Sequence, residues 1–289
     1  VLTPSATPFE ISKVGFVGLG AMGVGMANSL VKAGFNVSGY DVYEPSIQKF
    51  VAGGGKAIAA TSPAEAAEGA EVLVLMVQNA AQAEDVLFGT GAAAKTLPEG
   101  SIVILNSTVS PTAVRDLSTK LSALGKGLEL IDAPVSGGVA RAAKGELTVN
   151  RIPNIHQSLA KIFQIISSGN DLALSKARPI LTAMSGASTN LHRISEAVGA
   201  ASSVKLINQL LAGVHIAAAA EAMAFGAKLG LDTANLYEII KNAAGGSWMF
   251  ENRVPAMLTA DWTPHSQLAI FVKDLVSLVF LHKYIWSDE

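Results

Sequence analysis

KVGFVGLGAMGVGMANSLVKAG (Lys13–Gly34) is the stretch that decides the fold. Lys13–Gly18 is a short apolar run ending in glycine, the signal of a buried strand. Ala21–Ala33 is apolar, lacks proline and stops at Gly34, as a helix does. Between them lies Gly18-Leu19-Gly20-Ala21-Met22-Gly23. In that setting Gly18 permits a tight turn and Gly20 lets a pyrophosphate approach the backbone. Gly23 lets helix and strand pack closely, and the helix N-terminus faces the phosphates. The spacing alone is a weak signal. It gains weight because Asp41 closes the next predicted strand, Asn36–Asp41, about 20 residues on. An acid there accepts hydrogen bonds from the adenosine ribose and repels a 2′-phosphate, so NAD is expected rather than NADP. The competing reading is an ordinary glycine turn beside a surface aspartate.

Working outward, Glu71–Val77, Ser101–Asn106 and Leu128–Asp132 are further continuous apolar strands. Helical patterns lie between them, at Ser62–Glu68, at Ala80–Phe88 and after Pro111, and Pro45 sits where a first helical turn tolerates proline. Continuous apolar strands alternating with helices mean a parallel sheet covered on both faces. The alternation stops near Ile194. Beyond it Gly199–Gly230, Thr233–Ala244, Trp248–Leu258 and the region from Ser266 all read as helix. The expected architecture is therefore α/β: a Rossmann-type doubly wound parallel sheet over residues 11–195, then an all-α domain over 196–289. Entry is through a long interdomain helix, for which roughly 30 residues would span ~45 Å.

The bulk numbers agree with two domains. The chain has 289 residues, 50% of them hydrophobic and 15% charged, enough apolar material for a large core. A net charge of −2 gives no basic footprint for nucleic acid. With no cysteine, disulfides, thiolate nucleophiles and Cys-based zinc sites are excluded. The five histidines are scattered without metal-ligand spacing, so no metal site is expected. The most apolar window, Leu210–Ala227, contains His215 and Glu221 and reads as a buried helix rather than a membrane span. The lead VLTPSATPFEIS lacks the apolar core of a signal peptide, which makes a cytoplasmic protein the expectation.

In a doubly wound sheet, ligands bind at the carboxyl ends of strands. Met76-Val77, Asn106-Ser107-Thr108 and Asp132–Gly138 fall there. Ser107 and Thr108 read equally well as helix caps before Pro111. In Asp132-Ala-Pro-Val-Ser-Gly-Gly138, the Ser136 hydroxyl and the amides near Gly137 and Gly138 suit a carboxylate. Lys205 stands in an apolar helix, with Asn208 and Gln209 three and four residues on along one face. A solvated surface lysine is the competing reading.

With these residues in place, the chain resembles the β-hydroxyacid dehydrogenases, the 3-hydroxyisobutyrate dehydrogenase-like family. The carriers are FVGLGAMGVGMA (Phe16–Ala27), DAPVSGGVARAAKG (Asp132–Gly145), Lys205 with Asn208, and Lys273-Asp274-Leu275. Gln209–His215 and Ser247–Arg253 are most similar to the L-threonate dehydrogenase-like branch. The resemblance implies a small hydroxy acid with its carboxylate on Ser136, Gly137 and Gly138 and its body held by Asn208. Lys205 would take the hydroxyl proton as hydride leaves for the nicotinamide, which requires a neutral lysine in that direction. The cofactor would lie on Gly18–Gly23, Asp41, Met76, Val77, Thr108 and Lys273. The substrate implied is a four-carbon sugar acid such as L-threonate, with 3-hydroxyisobutyrate or another short β-hydroxyacid as the alternative. The family resemblance also implies a homo-oligomer, a dimer or tetramer.

Three departures from the family pattern qualify this. Glu196, Gly199 and Ala201 occupy positions where the family carries glycines, so a methyl at Ala201 is expected to weaken cofactor binding. An extra segment lies near 150–167, where Ile152, Ile155, Leu159, Ile162 and Ile166 have the spacing of an amphipathic helix. The region after Lys273-Asp274-Leu275 is shorter than in the family, leaving the second domain incomplete. These departures keep open a different class of function, a cofactor-binding scaffold without turnover.

Overall fold

The structure is a computed structural model, which describes residues 11–136, 164–186, 190–261 and 269–286. It divides into two compact units, with the boundary between Lys205 and Leu206.

Among the described residues, the first unit is built on a nine-stranded sheet. Its strands are β1 (Lys13–Val17), β2 (Asn36–Tyr40), β3 (Ala57–Ala59), β4 (Val72–Leu75), β5 (Ile102–Leu105), β6 (Glu129–Asp132), β7 (Val135–Ser136), β8 (Gln164–Ser168) and β9 (Leu191–Ser195). The order β3-β2-β1-β4-β5-β6 is wholly parallel. This is the dinucleotide-binding order, with its switch point between β1 and β4. Beyond β6 the sheet turns mixed, since β8 runs antiparallel to β6 and β7 while β9 pairs parallel to β8. The expected doubly wound parallel sheet is present, with a mixed edge added beyond β6.

The strands face two cores by simple alternation. Val72, Val74, Ile102 and Ile104 point into one, while Leu73, Leu75, Val103 and Leu105 point into the other. The first core is closed by α1 (Gly23–Lys32), α2 (Glu44–Val51) and α7 (Asp171–Ser185) through Met26, Leu30, Ile47, Phe50 and Ile180. The second is closed by α3 (Pro63–Ala67), α4 (Ala80–Phe88), α5 (Ala93–Thr96) and α6 (Pro111–Ser122). Fully burying one such Leu or Ile contributes roughly 1.5–3 kcal/mol, so two apolar faces per strand explain the continuous runs in the sequence.

The end of the extra segment is also corrected. Residues 164–168 form a strand in which Ile165 is fully buried, so the helical spacing does not extend to Ile166. β-branched residues flanked by two strands favour the sheet over the helix. The rest of that segment, including Ile152, Ile155, Leu159 and Ile162, lies outside the described residues.

The long helix α8 (Ala200–Lys228) starts in the first unit and continues into the second. The second unit adds α9 (Thr233–Ile240), α10 (Trp248–Leu258) and α11 (Ala269–Trp286). Asp232 and Ser247 cap α9 and α10 with their side-chain oxygens. Small residues on α8 let its neighbours close in. A Cβ at Gly226 would strike Leu236 Cδ2, and one at Gly213 would lie 3.2 Å from Leu275 Cδ1. Ala219, Met223, Phe250 and Val254 form the core of this unit, with the Tyr237 and Phe250 rings stacked at 5.8 Å.

The apolar window of α8 is not the buried helix expected. Leu210, Leu211, Val214 and Phe225 are all exposed, because the described helices cover only one side of it. By length and composition alone α8 is apolar enough to cross a membrane, with a mean hydropathy of 1.5.

Candidate active site

The glycine loop joins β1 to α1 at the switch point. Gly18 has φ +99°, and a Cβ there would collide with the Met76 carbonyl oxygen, so the turn requires glycine. At Gly23 a Cβ would strike the Gly18 carbonyl oxygen, which ties α1 against the loop. At Gly20 a Cβ would meet nothing among the described residues within 4 Å. Met22, which precedes α1, supplies no side-chain cap. The first-turn N–H groups of α1 therefore meet no capping side chain from Met22, beside an open Gly20, as an anionic ligand requires. Leu19 is buried, Gly20 and Ala21 are exposed and Met22 is half-buried.

Asp41 lies just past the end of β2, and its carboxylate accepts from Leu19 N at 2.6 Å and from Tyr43 N at 2.8 Å. It therefore shapes the glycine loop from the end of the neighbouring strand. Met76 and Val77 are half-buried after β4, beside the loop at Gly18. Val77 N donates to Ser107 Oγ at 2.9 Å. The capping reading of Ser107 and Thr108 is thereby corrected: Ser110 caps α6, accepting from Ala113 N at 3.2 Å. Ser107 instead braces β4 against β5, and Thr108 is half-buried on the loop that follows. Asn106 Nδ2 donates to Ala133 O at 2.5 Å, bracing the end of β5 against the link from β6 to β7. Ser136 ends β7 opposite Gln164 of β8 and is half-buried. Gly137 and Gly138 lie outside the described residues.

Lys205 is buried, at 7% exposure, one turn into α8. The start of that helix has an unusual cap. Gly199, at φ +95°, has no side chain to accept from the first-turn amides, and a Cβ there would lie 2.9 Å from Pro111 O. Two strands supply the missing acceptors. Asp132 Oδ2 accepts from Ser202 N at 2.8 Å, Asp132 Oδ1 from Ser202 Oγ at 2.7 Å, and Ser168 Oγ from Ala201 N at 3.1 Å. Asp132 is fully buried, and that burial pushes its carboxyl above the usual range despite the opposing hydrogen bonds from Ser202 and Ser168. Sequence reasoning missed this clamp, since nothing in the motif pairs Asp132 with Ser202.

The raised Asp132 carboxyl gives a signed prediction. Its contribution to stability is fully present below the unfolded value, about 3.9, and is lost as pH rises through the folded value. Asp132→Asn keeps the shape without the buried charge. The melting temperature of this variant should gain on wild type as pH rises from 4 to 8. Thermal denaturation across that range checks this, and a variant-minus-wild-type difference in melting temperature that falls as pH rises would contradict it.

Two departures noted in the sequence look different in place. Ala201 is fully buried with its amide on Ser168, and Glu196 is exposed and sits 3.6 Å from Arg193 Nη2. In the second unit, Asn208 is exposed, whereas Gln209 is buried and donates from Nε2 to Asp274 Oδ2 at 2.8 Å. Of the two polar residues after Lys205, Gln209 is the fixed one, a point that the spacing alone left open. Lys273 Nζ lies 2.9 Å from Asp274 Oδ1. Thus Gly18–Gly23, Asp41, Met76, Val77, Thr108, Ser136 and Lys205 belong to the first unit, and Asn208 and Lys273 to the second. Among the described residues no group of three or more His, Asp or Glu could hold a metal.

Comparison with known proteins agrees with this geometry. Residues 13–151 match the family model for the NAD binding domain of 6-phosphogluconate dehydrogenase. Residues 199–281 match the model described as NAD-binding of NADP-dependent 3-hydroxyisobutyrate dehydrogenase. An L-threonate dehydrogenase from Cupriavidus necator is 47% identical over 91% of this chain and 80% of its own length. One from Escherichia coli K12 is 42% identical with the same coverage. The crystal structure of a 3-hydroxyisobutyrate dehydrogenase from Salmonella typhimurium superposes with a TM-score of 0.80 at 41% identity, covering 95% of this chain and 88% of that one.

Proposed function

We propose that Lys205 is the acid/base of a hydroxy-acid dehydrogenase: the chain belongs to the 3-hydroxyisobutyrate dehydrogenase-like family of NAD(P)-binding oxidoreductases acting on CH–OH groups. The observation that carries the reading is a buried lysine on a helix clamped to the ends of two strands. The substrate proposed is a four-carbon sugar acid, L-threonate, by analogy with the dehydrogenases of that name.

Ser136, with Gly137 and Gly138, holds the substrate carboxylate. Lys205 takes the hydroxyl proton on oxidation and returns it on reduction. Asn208, or the fixed Gln209, holds the hydroxyl-bearing chain next to Lys205. The residues of the β1–α1 loop fit a dinucleotide, with an open Gly20, no capping side chain at Met22 and an acid at Asp41. When bound, that dinucleotide supplies the hydride acceptor. Met76, Val77, Thr108 and Lys273 complete its binding residues. A screen of hydroxy acids with NAD, read as NADH absorbance, tests the reading. Turnover of L-threonate ahead of 3-hydroxyisobutyrate supports it, and NAD binding without turnover of any acid overturns it.

NAD rather than NADP is proposed from Asp41, which would face the ribose hydroxyls with negative charge. Asp41→Ala should weaken NAD use by about tenfold, the value of one hydrogen bond to a charged group, and narrow the gap to NADP. Paired kcat/KM measurements with both cofactors check this, and an unchanged ratio would defeat the cofactor argument. The protein is further proposed to be a cytoplasmic homo-oligomer, a dimer or tetramer that covers Leu210, Leu211 and Val214, with no nucleic-acid or membrane partner. Light scattering after gel filtration tests the oligomer.

A further inference from the structure

We propose that Asp132 is a positioning residue for Lys205, acting through the first turn of α8. This rests on the reading of Lys205 as the acid/base. A helix begins with N–H groups that have no partner inside the helix, and ordinarily its own N-cap side chain takes one of them. Here the N-cap position is Gly199, and a larger residue is barred by Pro111 O. The acceptors arrive from elsewhere in the chain, Asp132 at the end of β6 and Ser168 at the end of β8. Those two strands meet at this point, since Asp132 and Ser168 are register partners and Ser168 Oγ donates to Asp132 Oδ2 at 3.3 Å. The sheet and the helix are thus joined by one buried polar cluster.

Ser202 contributes twice to that cluster, through its amide and its hydroxyl. It stands three residues before Lys205, on the same helical face. Any tilt or fraying at Ser202 is therefore passed on to Lys205 with little damping. Asp132 also ends β6 just before β7, whose Ser136 is proposed to hold the substrate. One carboxylate thus sets the lysine and the end of the strand that leads to Ser136 from the same point. The position is costly for a carboxylate, since it is fully buried. In return, a charge-assisted bond to a helix start is short and directional, which fixes where the first turn of α8 lies.

The test compares Asp132→Ala, Asp132→Asn, Ser202→Ala and Ser168→Ala with wild type. Asp132→Ala should lower kcat about a hundredfold, the cost of a misplacement near 1 Å, with little change in the KM for NAD. Asp132→Asn, which retains an acceptor for Ser202 N, should recover most of that loss. Ser202→Ala should lower kcat about tenfold, as expected for one lost hydrogen bond to a charged group. Hydrogen exchange at the amides of Ala201 and Ser202 gives a second readout that needs no turnover, and it should accelerate in Asp132→Ala and Ser168→Ala. A folded Asp132→Ala enzyme with wild-type kcat would overturn the proposal. If Asp132→Ala does not fold, unchanged kcat in both serine variants would overturn it. Were wild type to turn over no acid, the dehydrogenase reading would fail on its own, while unchanged exchange in the variants would still refute the clamp.

Discussion

Lys205→Ala should lower kcat by about 10²–10⁴-fold, the usual contribution of a positioned general acid/base. NAD affinity should stay close to wild type, because the glycine loop joins β1 to α1 and Asp41 follows β2, while Lys205 lies on α8. The informative companion is Lys205→Arg. A guanidinium stays protonated at any working pH, so it keeps the charge but gives up no proton. If Lys205 only attracted the substrate carboxylate, arginine would restore turnover and alanine would act chiefly on KM. If it transfers the proton, both variants are equally slow and the loss falls on kcat. Steady-state kinetics with the best acid from the screen, together with NAD titration by fluorescence, separate the two. Near-normal kcat in either variant would remove Lys205 from the chemistry.

The parts legible in the sequence were those where the backbone restricts residue type. Gly18 and Gly23 are demanded by a left-handed turn and by a helix packed on its own loop, so their spacing announced β1, α1 and the switch point. The continuous runs at Val72–Leu75 and Ile102–Leu105 were readable because both faces of those strands are buried. The helix-start clamp was illegible for the opposite reason. Asp132 and Ser202 are 70 residues apart and interact only because β6, β8 and α8 converge. β8 was obscured because isoleucines three and four apart satisfy a helix pattern while their β-branching suits a strand. Asn208 and Gln209 could not be ranked by spacing, since both lie within a turn of Lys205. Asp274, 65 residues beyond Gln209, fixes one of them. Glu196 and Ala201 were legible as departures but not in consequence, because an ion-pair partner at Arg193 and an amide bond to Ser168 are tertiary facts.

The glycine loop allows an experiment that separates folding from cofactor binding, because two of its glycines are constrained by different things. A methyl at Gly23 would meet the Gly18 carbonyl oxygen and lie 3.2 Å from Phe16 Cε1. The loop cannot retreat, since Gly18 N is bonded to Tyr40 O at 2.9 Å and Leu19 N to Asp41 at 2.6 Å. Gly23→Ala must therefore push α1 off β1, an overpacking that costs about 1–3 kcal/mol. It should lower the melting temperature and, by displacing the α1 N-terminus, weaken NAD binding by about ten- to a hundredfold. Gly20 differs, because a methyl there would meet no atom of the described residues within 4 Å. Gly20→Ala should leave the melting temperature within error of wild type, yet weaken NAD, since among the described residues nothing lies in the way of that methyl and a ligand lying on the loop would meet it. Calorimetric titration with NAD and thermal denaturation of both variants check the pair. Unchanged NAD affinity in Gly20→Ala would mean that the pyrophosphate does not lie over Gly20, and the dinucleotide reading of Gly18–Gly23 would have to be withdrawn whatever Gly23→Ala did.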